Sequence, residues 1–494
     1  MSSFLNKKYT NKTNTECDVV LINPPYKTRP GGGLTIPLGL AYLAAYLRTH
    51  GISVQILDCA PVYNNNQPFF IDWFQNQLLR KKPKFAIGIG PCTTSTIYNT
   101  VMISKIIKNI YPNIKIIYGG PLASVKGQER IFFEDLSATA IIPGDGEKAL
   151  TSFLKTIQKD EDINSLDGIV TNKYQHIKCN IIQNLDELPF PARDLFDSAN
   201  YYPSLRRNLF KLPFTTFITS RGCNYNCGFC LGGQIRNGKK TRSLNNISEE
   251  LTFLSNKFGT KSIIFYDDLL FDDNHSINDD VIDFCNIITK VSKNLLWQIE
   301  MRPDLACLLE DKSINMLFNA GCRQINFGIE KSSNKSMDAI KKSLDTDKSS
   351  EACNRIYKIC KRMRLAGTFI IGGPGETRED IMDIIEYSKK LNLLFAHFNP
   401  LELYPGTSLY ENKFKNDPEY WYRYIMEYKG SVSSLIYEEN ALTRNVILAL
   451  TSKAYRIFYH RKKWLNLAKN LLGTHFDDVK EIIYSWNLNR YSKV

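Results

Sequence analysis

The sequence predicts an α/β protein built from two successive βα series and a mostly helical C-terminal tail. Apolar, β-branched runs alternate with amphipathic patterns from Asp18 to Asn172, and the alternation restarts at Thr215. Between the two series lies a proline-bearing stretch, residues 183–214, with Pro189, Pro191, Pro203 and Pro213. Beyond Tyr410 the alternation stops. Strand–helix alternation on this scale gives a parallel sheet covered on both faces, so the first series predicts a doubly wound, Rossmann-like domain over residues 17–182. Six strand-like runs in the second series fit a partial (β/α)6 barrel over residues 215–409. Residues 183–214 form the linker, because proline stops both a helix and a central strand. Residues 410–494 form the tail.

In the first series the strands are Val19–Ile22, Ser53–Leu57, Phe85–Ile89, Ile114–Tyr118 and Ala138–Ile142. The helices between them are Leu38–His50, Asp72–Lys82, Ile97–Ile110 and Glu147–Ile157. Gly51, just past the first helix, is a C-terminal stop signal. In the second series the strands are Thr215–Thr219, Ser262–Tyr266, Leu295–Glu300, Gln324–Phe327, Thr368–Ile371 and Leu394–Asn399. Their helices are Ile247–Lys257, Asp279–Val291, Lys312–Ala320, Glu351–Leu365 and Glu379–Leu391. Ligands of such folds sit at the carboxyl ends of the strands. In the first series those ends carry Asn23-Pro24-Pro25, the run Gly88 to Ser95, Gly119-Gly120-Pro121 and Pro143 to Glu147. Glycines let backbone approach a ligand, and amides at a helix start favour phosphate; each of these loops also reads as an ordinary tight turn.

Composition narrows the class. With 494 residues and 43% hydrophobic content the chain is globular, not disordered. A net charge of +13 raises nucleic acid, anionic lipid or acidic substrates as partners, but Lys and Arg are interspersed with acids. Twelve irregularly spaced cysteines argue for a reducing compartment. The polar first sixteen residues and the lack of an 18-residue apolar run predict a cytoplasmic protein. Segment 453–469 carries six Lys/Arg and no acid, which suits contact with a membrane surface or a solvated face packed on the barrel.

Chemistry concentrates at Cys223, Cys227 and Cys230, in a glycine-rich loop after the first strand of the second series. Three thiolates at this spacing select zinc, copper(I) or an iron–sulfur cluster. A structural zinc site needs four ligands, and the next Cys or His are as distant as Cys179 and His275. A [4Fe–4S] cluster held by three cysteines keeps one iron open. Cys285, Cys307, Cys322, Cys353 and Cys360 fall in apolar patterns and read as buried thiols, and His397 as a core histidine of the last strand.

The C-x3-C-x2-C spacing with Phe229 before the last cysteine resembles the radical S-adenosylmethionine (SAM) superfamily, and the glycine-rich domain ahead of it resembles the cobalamin-binding domain fused to many of its members. The resemblance implies a [4Fe–4S] cluster on Cys223, Cys227 and Cys230. It implies SAM contacts from Phe229, Asp268, Arg302, Glu330, Gly372, Gly373 and Pro374. It also implies cobalamin contacts from Asn23, Thr94, Ser95, Gly119, Gly120, Gly144 and Glu147. The Asp-x-His-x-x-Gly motif of methionine-synthase-type domains is missing, so no histidine of this domain is expected on cobalt; its histidines are His50 and His176. The tail shares a Tyr-Arg-x-Phe-Tyr stretch with cobalamin-type members such as the anaerobic magnesium-protoporphyrin ester cyclase group.

The function implied is radical cleavage of SAM, with cobalamin carrying a methyl group to an unactivated carbon or phosphorus of a small metabolite. The partners implied are that metabolite and an electron donor such as flavodoxin or ferredoxin, with no nucleic acid. Cobalamin-dependent cyclisation or rearrangement is the alternative. RNA methylthiolation fits less well, because Cys17, Cys59, Cys92 and Cys179 lack cluster spacing. An iron–sulfur sensor would not need the carboxylates and Gly-Gly-Pro at the strand ends.

Overall fold

A computed structural model describes residues 16–28, 33–65, 67–173, 178–202, 211–236, 238–273, 276–429, 435–460 and 462–472. The first series is β1 (Cys17–Asn23), α1 (Leu38–Thr49), β2 (Val54–Asp58), α2 (Phe70–Lys81), β3 (Pro83–Ile89), α3 (Ile97–Ile110), β4 (Lys115–Gly119), β5 (Ala140–Ile142) and α4 (Glu147–Gln158). Its five strands are all parallel, in the order β2-β1-β3-β4-β5. Val19, Val20, Leu21 and Ile22 are all buried, as continuous apolar strands of a sheet covered on both faces must be. Gly51 takes a φ of +76° and its amide closes on the Arg48 carbonyl, which ends α1 as predicted.

The second series is β6 (Phe214–Phe217), α5 (Leu244–Phe258), β7 (Ser262–Phe265), α6 (Ile277–Val291), β8 (Leu296–Met301), α7 (Asp311–Asn319), β9 (Cys322–Glu330), α8 (Thr346–Ile359), β10 (Arg364–Ile371), α9 (Arg378–Lys390) and β11 (Phe395–Pro400). The six strands are parallel and pair in sequence order, giving an open six-stranded barrel with β6 and β11 as its edges. One expected helix is misplaced. The pattern Glu351–Leu365 is helical only to Ile359, and Arg364 already pairs with Gln324 in the sheet. Arg, Leu and Ala are good helix formers, and here burial between two strands overrides that preference.

The linker is not a loose tether. Residues 185–200 run through short 3₁₀ turns, and Leu185, Leu188 and Ala192 are buried. Arg193 is buried too; it pairs with Glu250 of α5 at 2.6 Å and donates to the Thr216 carbonyl at 2.9 Å. Arg242 reaches the other oxygen of Glu250 at 2.6 Å. Glu250 therefore holds linker and barrel together with no surface exposed to water.

The tail carries α10 (Tyr420–Glu427), α11 (Arg444–His460) and α12 (Lys462–Leu472), with a two-stranded antiparallel ladder of Glu402–Leu403 with Leu435–Ile436. The Tyr-Arg-x-Phe-Tyr stretch lies on α11 and seals the open edge of the barrel. Ala396 and Phe398 of β11 donate their N–H groups to Tyr459 and Tyr455 hydroxyls at 3.1 and 3.2 Å. The Trp464 indole donates to the Leu394 carbonyl at 2.6 Å. Covering an edge strand in this way removes a site of unwanted pairing. The apolar face of α11 is thus buried on the barrel, with Lys453 and Arg456 exposed. Among the described residues no helix is long and apolar enough to cross a membrane. The α10 helix instead packs on the first domain, where the Trp421 indole donates to Gln128 at 2.8 Å and Arg130 pairs with Glu419. These tail aromatics pack on the barrel edge and on the first domain.

Replacing Glu250 with Leu leaves two buried guanidinium groups without their anion. Breaking such a buried pair costs about 3–5 kcal/mol, so urea unfolding of Glu250→Leu is expected at a clearly lower midpoint. A midpoint equal to wild type rules out this joint as a main support of the fold.

Candidate active site

The cysteine loop leaves β6 through Thr219 and Ser220, and a single buried carboxylate shapes that exit. Asp267 Oδ1, just past β7, accepts from the Thr219 amide (2.9 Å), the Thr219 hydroxyl (2.7 Å) and the Ser220 hydroxyl (2.7 Å). Burial pushes the Asp267 carboxyl above its ordinary value, against the pull of those hydrogen bonds. Gly222 follows with φ +89°, and a Cβ there would stand 2.4 Å from the Gly238 carbonyl oxygen, so only glycine fits the turn. Its amide donates to Asp268 at 3.1 Å. Gly228 is held from both sides, its amide on the Ile340 carbonyl (2.9 Å) and its carbonyl accepting from Leu409 (3.0 Å). The Gln234 amide donates to the Cys227 and Cys230 carbonyls.

This folding leaves Cys223 and Cys227 half-buried and Cys230 exposed, all at the mouth of the barrel. Among the described residues no three His, Cys, Asp or Glu side chains converge closely enough to hold a single metal ion. Three soft thiolates on one short loop are the donor set of a cubane cluster, in which each of three irons takes one thiolate.

Around the loop stand most of the other predicted SAM residues. Phe229 borders a pocket of about 280 Å³ with Ile370, Asn399, Pro400 and Glu402. Asp268 lies beside Cys230 and Gly232. Arg302 does not pair with Glu330. It forms a two-pronged pair with Asp304 (2.7 and 3.0 Å), and its guanidinium lies 3.7 Å from the centre of the Tyr225 ring, inside the cysteine loop. Glu330, with φ +64°, instead binds Lys342 at 2.9 Å. Gly372 (φ +82°), Gly373 and Pro374 turn away from β10.

Beneath that turn lies a residue the sequence reading missed. Lys331 is fully buried and donates to the carbonyls of Ile370 and Gly372, both at 3.0 Å, while pairing with Glu376 at 2.8 Å. Burial lowers the Lys331 ammonium, opposed by the Glu376 charge. Nothing in the sequence around Lys331 marks it, because its partners lie on the next strand.

A second cavity, of about 530 Å³, opens between the carboxyl ends of the first sheet and the cysteine loop. Its wall combines Leu21, Leu43, Ile117 and Ile142 with bare backbone at Gly88, Gly119, Gly120 and Gly144. Gly120 has φ +104°, and a Cβ there would be 2.6 Å from the Cys92 nitrogen. Apolar side chains and exposed backbone along one wall fit the buried part of a large, mainly apolar cofactor such as cobalamin. Of the residues expected on cobalamin, Gly119, Gly120, Gly144 and Glu147 line this cavity, whereas Asn23, Thr94 and Ser95 are not among its lining. Asn23 is buried and donates to Asp58 at 2.7 Å. Thr94 is buried in the loop before α3, and the exposed Ser95 shares a hydrogen bond with Thr93. No lining residue is a histidine; His50 is exposed at the end of α1 and bonded to the Tyr46 carbonyl. His176 lies outside the described residues.

The two sites meet at a set of ion pairs. Arg221, two residues before Cys223, binds Asp145 and Glu147 at 2.7 Å each. Arg236, six residues after Cys230, binds the same Asp145, with one contact at 3.0 Å. Asp145 also accepts from the Ile182 amide at 2.9 Å. Burial alone would raise the Asp145 carboxyl, but the hydrogen bond from Arg236 and the charges of both arginines hold it below the ordinary range. These residues lie among the strand-end motifs read from the sequence, but their pairing spans 76 positions and has no sequence signal.

Comparisons with known proteins agree with this geometry. Residues 217–388 match the Radical SAM superfamily and residues 29–154 match the B12 binding domain. An uncharacterized methyltransferase of Pyrococcus horikoshii is 29% identical over 478 residues, covering 94% of this chain and 97% of the relative. Cytidylyl-2-hydroxyethylphosphonate methyltransferase of Streptomyces wedmorensis is 23% identical over 454 residues, covering 81% and 82%. The radical S-adenosylmethionine methyltransferase TsrM of Kitasatospora setae, solved with cobalamin and a [4Fe–4S] cluster, shares the fold at a TM-score of 0.69 and 16% identity, covering 95% of this chain and 99% of TsrM. The three-cysteine loop on the open parallel barrel and the glycine-lined cavity of the parallel sheet before it lie within these two matched regions, so the chain joins a B12 binding domain to a radical SAM domain, the make-up of the cobalamin-dependent radical SAM enzymes.

Proposed function

We propose that this enzyme methylates an unactivated carbon, or phosphorus, of a small metabolite, using SAM both as radical source and as methyl donor. The observation that carries this reading is that both stems of the cysteine loop, at Arg221, Gly222 and Arg236, line the cavity of the B12-binding domain together with Asp268. Cys223, Cys227 and Cys230 hold the cluster. Gly119, Gly120, Gly144 and Glu147 hold cobalamin. When bound, the cluster supplies one electron for cleavage of SAM and cobalamin supplies the methyl carrier, as cofactors do the chemistry that side chains cannot.

The chain's own residues bind, orient and exclude water. Asp268, beside Cys230, receives the amino group of SAM, and Arg302, already balanced by Asp304, offers its remaining edge to the carboxylate. Glu330 serves the ribose. The turn Gly372-Gly373-Pro374, supported by Lys331, and the ring of Phe229 frame the adenine. Pre-set hydrogen bonds of this kind place the reacting groups before the chemistry starts. A flavodoxin- or ferredoxin-like donor reaches the cluster from the side on which Cys230 is exposed. The relatives aligned over most of the chain are methyltransferases, which favours methyl transfer over cyclisation; the phosphonate substrate of one supports a small anionic metabolite here.

Three outcomes test the reading. Anaerobic reconstitution of the full chain is expected to bind about four irons, and Cys223→Ala to lose both the cluster and 5′-deoxyadenosine formation; SAM cleavage at the wild-type rate in that variant would falsify the assignment. Holoenzyme given SAM, a reductant and a metabolite extract is expected to produce mass features heavier by one methylene, whereas products of unchanged mass would point to cyclisation. His50→Ala and His176→Ala are each expected to leave the cob(II)alamin EPR spectrum as in wild type, and a changed spectrum in either would place a histidine on cobalt.

A further inference from the structure

Asp145 is 4% exposed and belongs to the first domain, in the turn between β5 and α4, where it lines the cofactor cavity. It grips both stems of the cysteine loop: Arg221 on the way in and Arg236 on the way out. Glu147, the first residue of α4, adds a second bond to Arg221. The Arg221 guanidinium also lies 5.0 Å from the centre of the Tyr42 ring, on α1. The loop that carries three thiols is thus closed at its base by one carboxylate from the other domain. Charge-assisted, two-pronged bonds of this kind fix geometry as well as energy.

We infer that Asp145 is a positioning residue that sets the separation between cobalamin and the iron–sulfur cluster. The inference rests on the cofactor assignment above. The cavity wall and the cysteine loop approach each other through this carboxylate, beside an apolar seam in which Phe229, Ile340 and Leu409 pack with the core of the first domain. Loss of the Asp145 charge leaves the two arginines facing each other with Glu147 as their nearest acid, so the stems separate while each half of the site keeps its own ligands. Methyl transfer across the gap depends on that separation, because misplacement of reacting groups by about 1 Å can cost 10²-fold in rate.

The test is made on holoenzyme reconstituted with iron, sulfide and hydroxocobalamin, by pulsed EPR of the distance between cob(II)alamin and the reduced cluster, with amide hydrogen exchange as the second readout. Asp145→Asn is expected to retain wild-type iron and cobalt content, to broaden the distance distribution, and to speed exchange in residues 221–236 by roughly tenfold, the loss of about one charge-assisted bond. Asp145→Glu is expected to recover part of the narrow distribution. Arg236→Met removes one stem at a side chain that is 19% exposed and decides the matter if Asp145→Asn does not fold. Unchanged distance and exchange in these variants overturn the inference. So does selective loss of cobalamin from Asp145→Asn with a wild-type distance in Arg236→Met, since Asp145 would then retain the cofactor instead of positioning it. A wild-type chain that binds only one of the two cofactors overturns the cofactor assignment itself.

Discussion

Glu250 has no contact with water, and the geometry of the whole chain follows from how its charge is neutralised. An isolated carboxylate in such a place is prohibitively costly, so its two arginines are obligatory partners. One comes from the linker and one from the segment between the cysteine loop and α5, Arg193 and Arg242. The Arg242 guanidinium also lies over the ring of Phe217 at 5.1 Å and donates to the Ile218 carbonyl. One buried anion thus fixes the path of the linker, the start of the barrel and the strand from which the cysteine loop departs.

That fixed path brings the carboxyl ends of two parallel sheets toward a common space. In each sheet the strand ends are where backbone groups run out of partners and where loops with unusual conformations can stand. Here those loops are held by single charged groups: Asp267 for the exit from β6, Lys331 for the turn after β10, Asp145 for both stems of the cysteine loop. Each sits in a protein interior that penalises an unpaired charge, so each has its counter-charge or a set of donors. The site is rigid because the alternatives leave buried charges alone.

The tail completes the barrel at its open edge. An open barrel leaves a strand with unpaired amides on each edge, and the hydroxyls of Tyr455 and Tyr459 take those of β11. This use explains why a tyrosine pair four residues apart occurs on one helix face. Its basic residues remain on the solvent side of α11, as the interspersed charge pattern of the chain implies.

Both βα series, the break between them and the cysteine motif were legible in the sequence because each is local: strand periodicity over five residues, helix stops at glycine, three thiols within eight positions. The strand-end motifs were legible for the same reason, and Gly119, Gly120 and Gly144 do line the cavity. The boundary of α8 was misread because helix-forming residues enter a buried strand at Arg364, where neighbours across the sheet outweigh local preference. Asn23 and Thr94 carry the right chemistry at the right strand ends, yet both side chains are buried and neither lines the cavity. The partners of charged groups were beyond the sequence altogether. Arg302 bonds Asp304 and stacks on Tyr225, and Glu330 bonds Lys342. By itself the sequence determined the two folds and the three-thiol loop, since these follow from spacing along the chain. Only the tertiary structure decided how Asp145, Glu250 and Lys331 are paired, because ion pairs in a low-dielectric interior form between whichever groups the packing brings together.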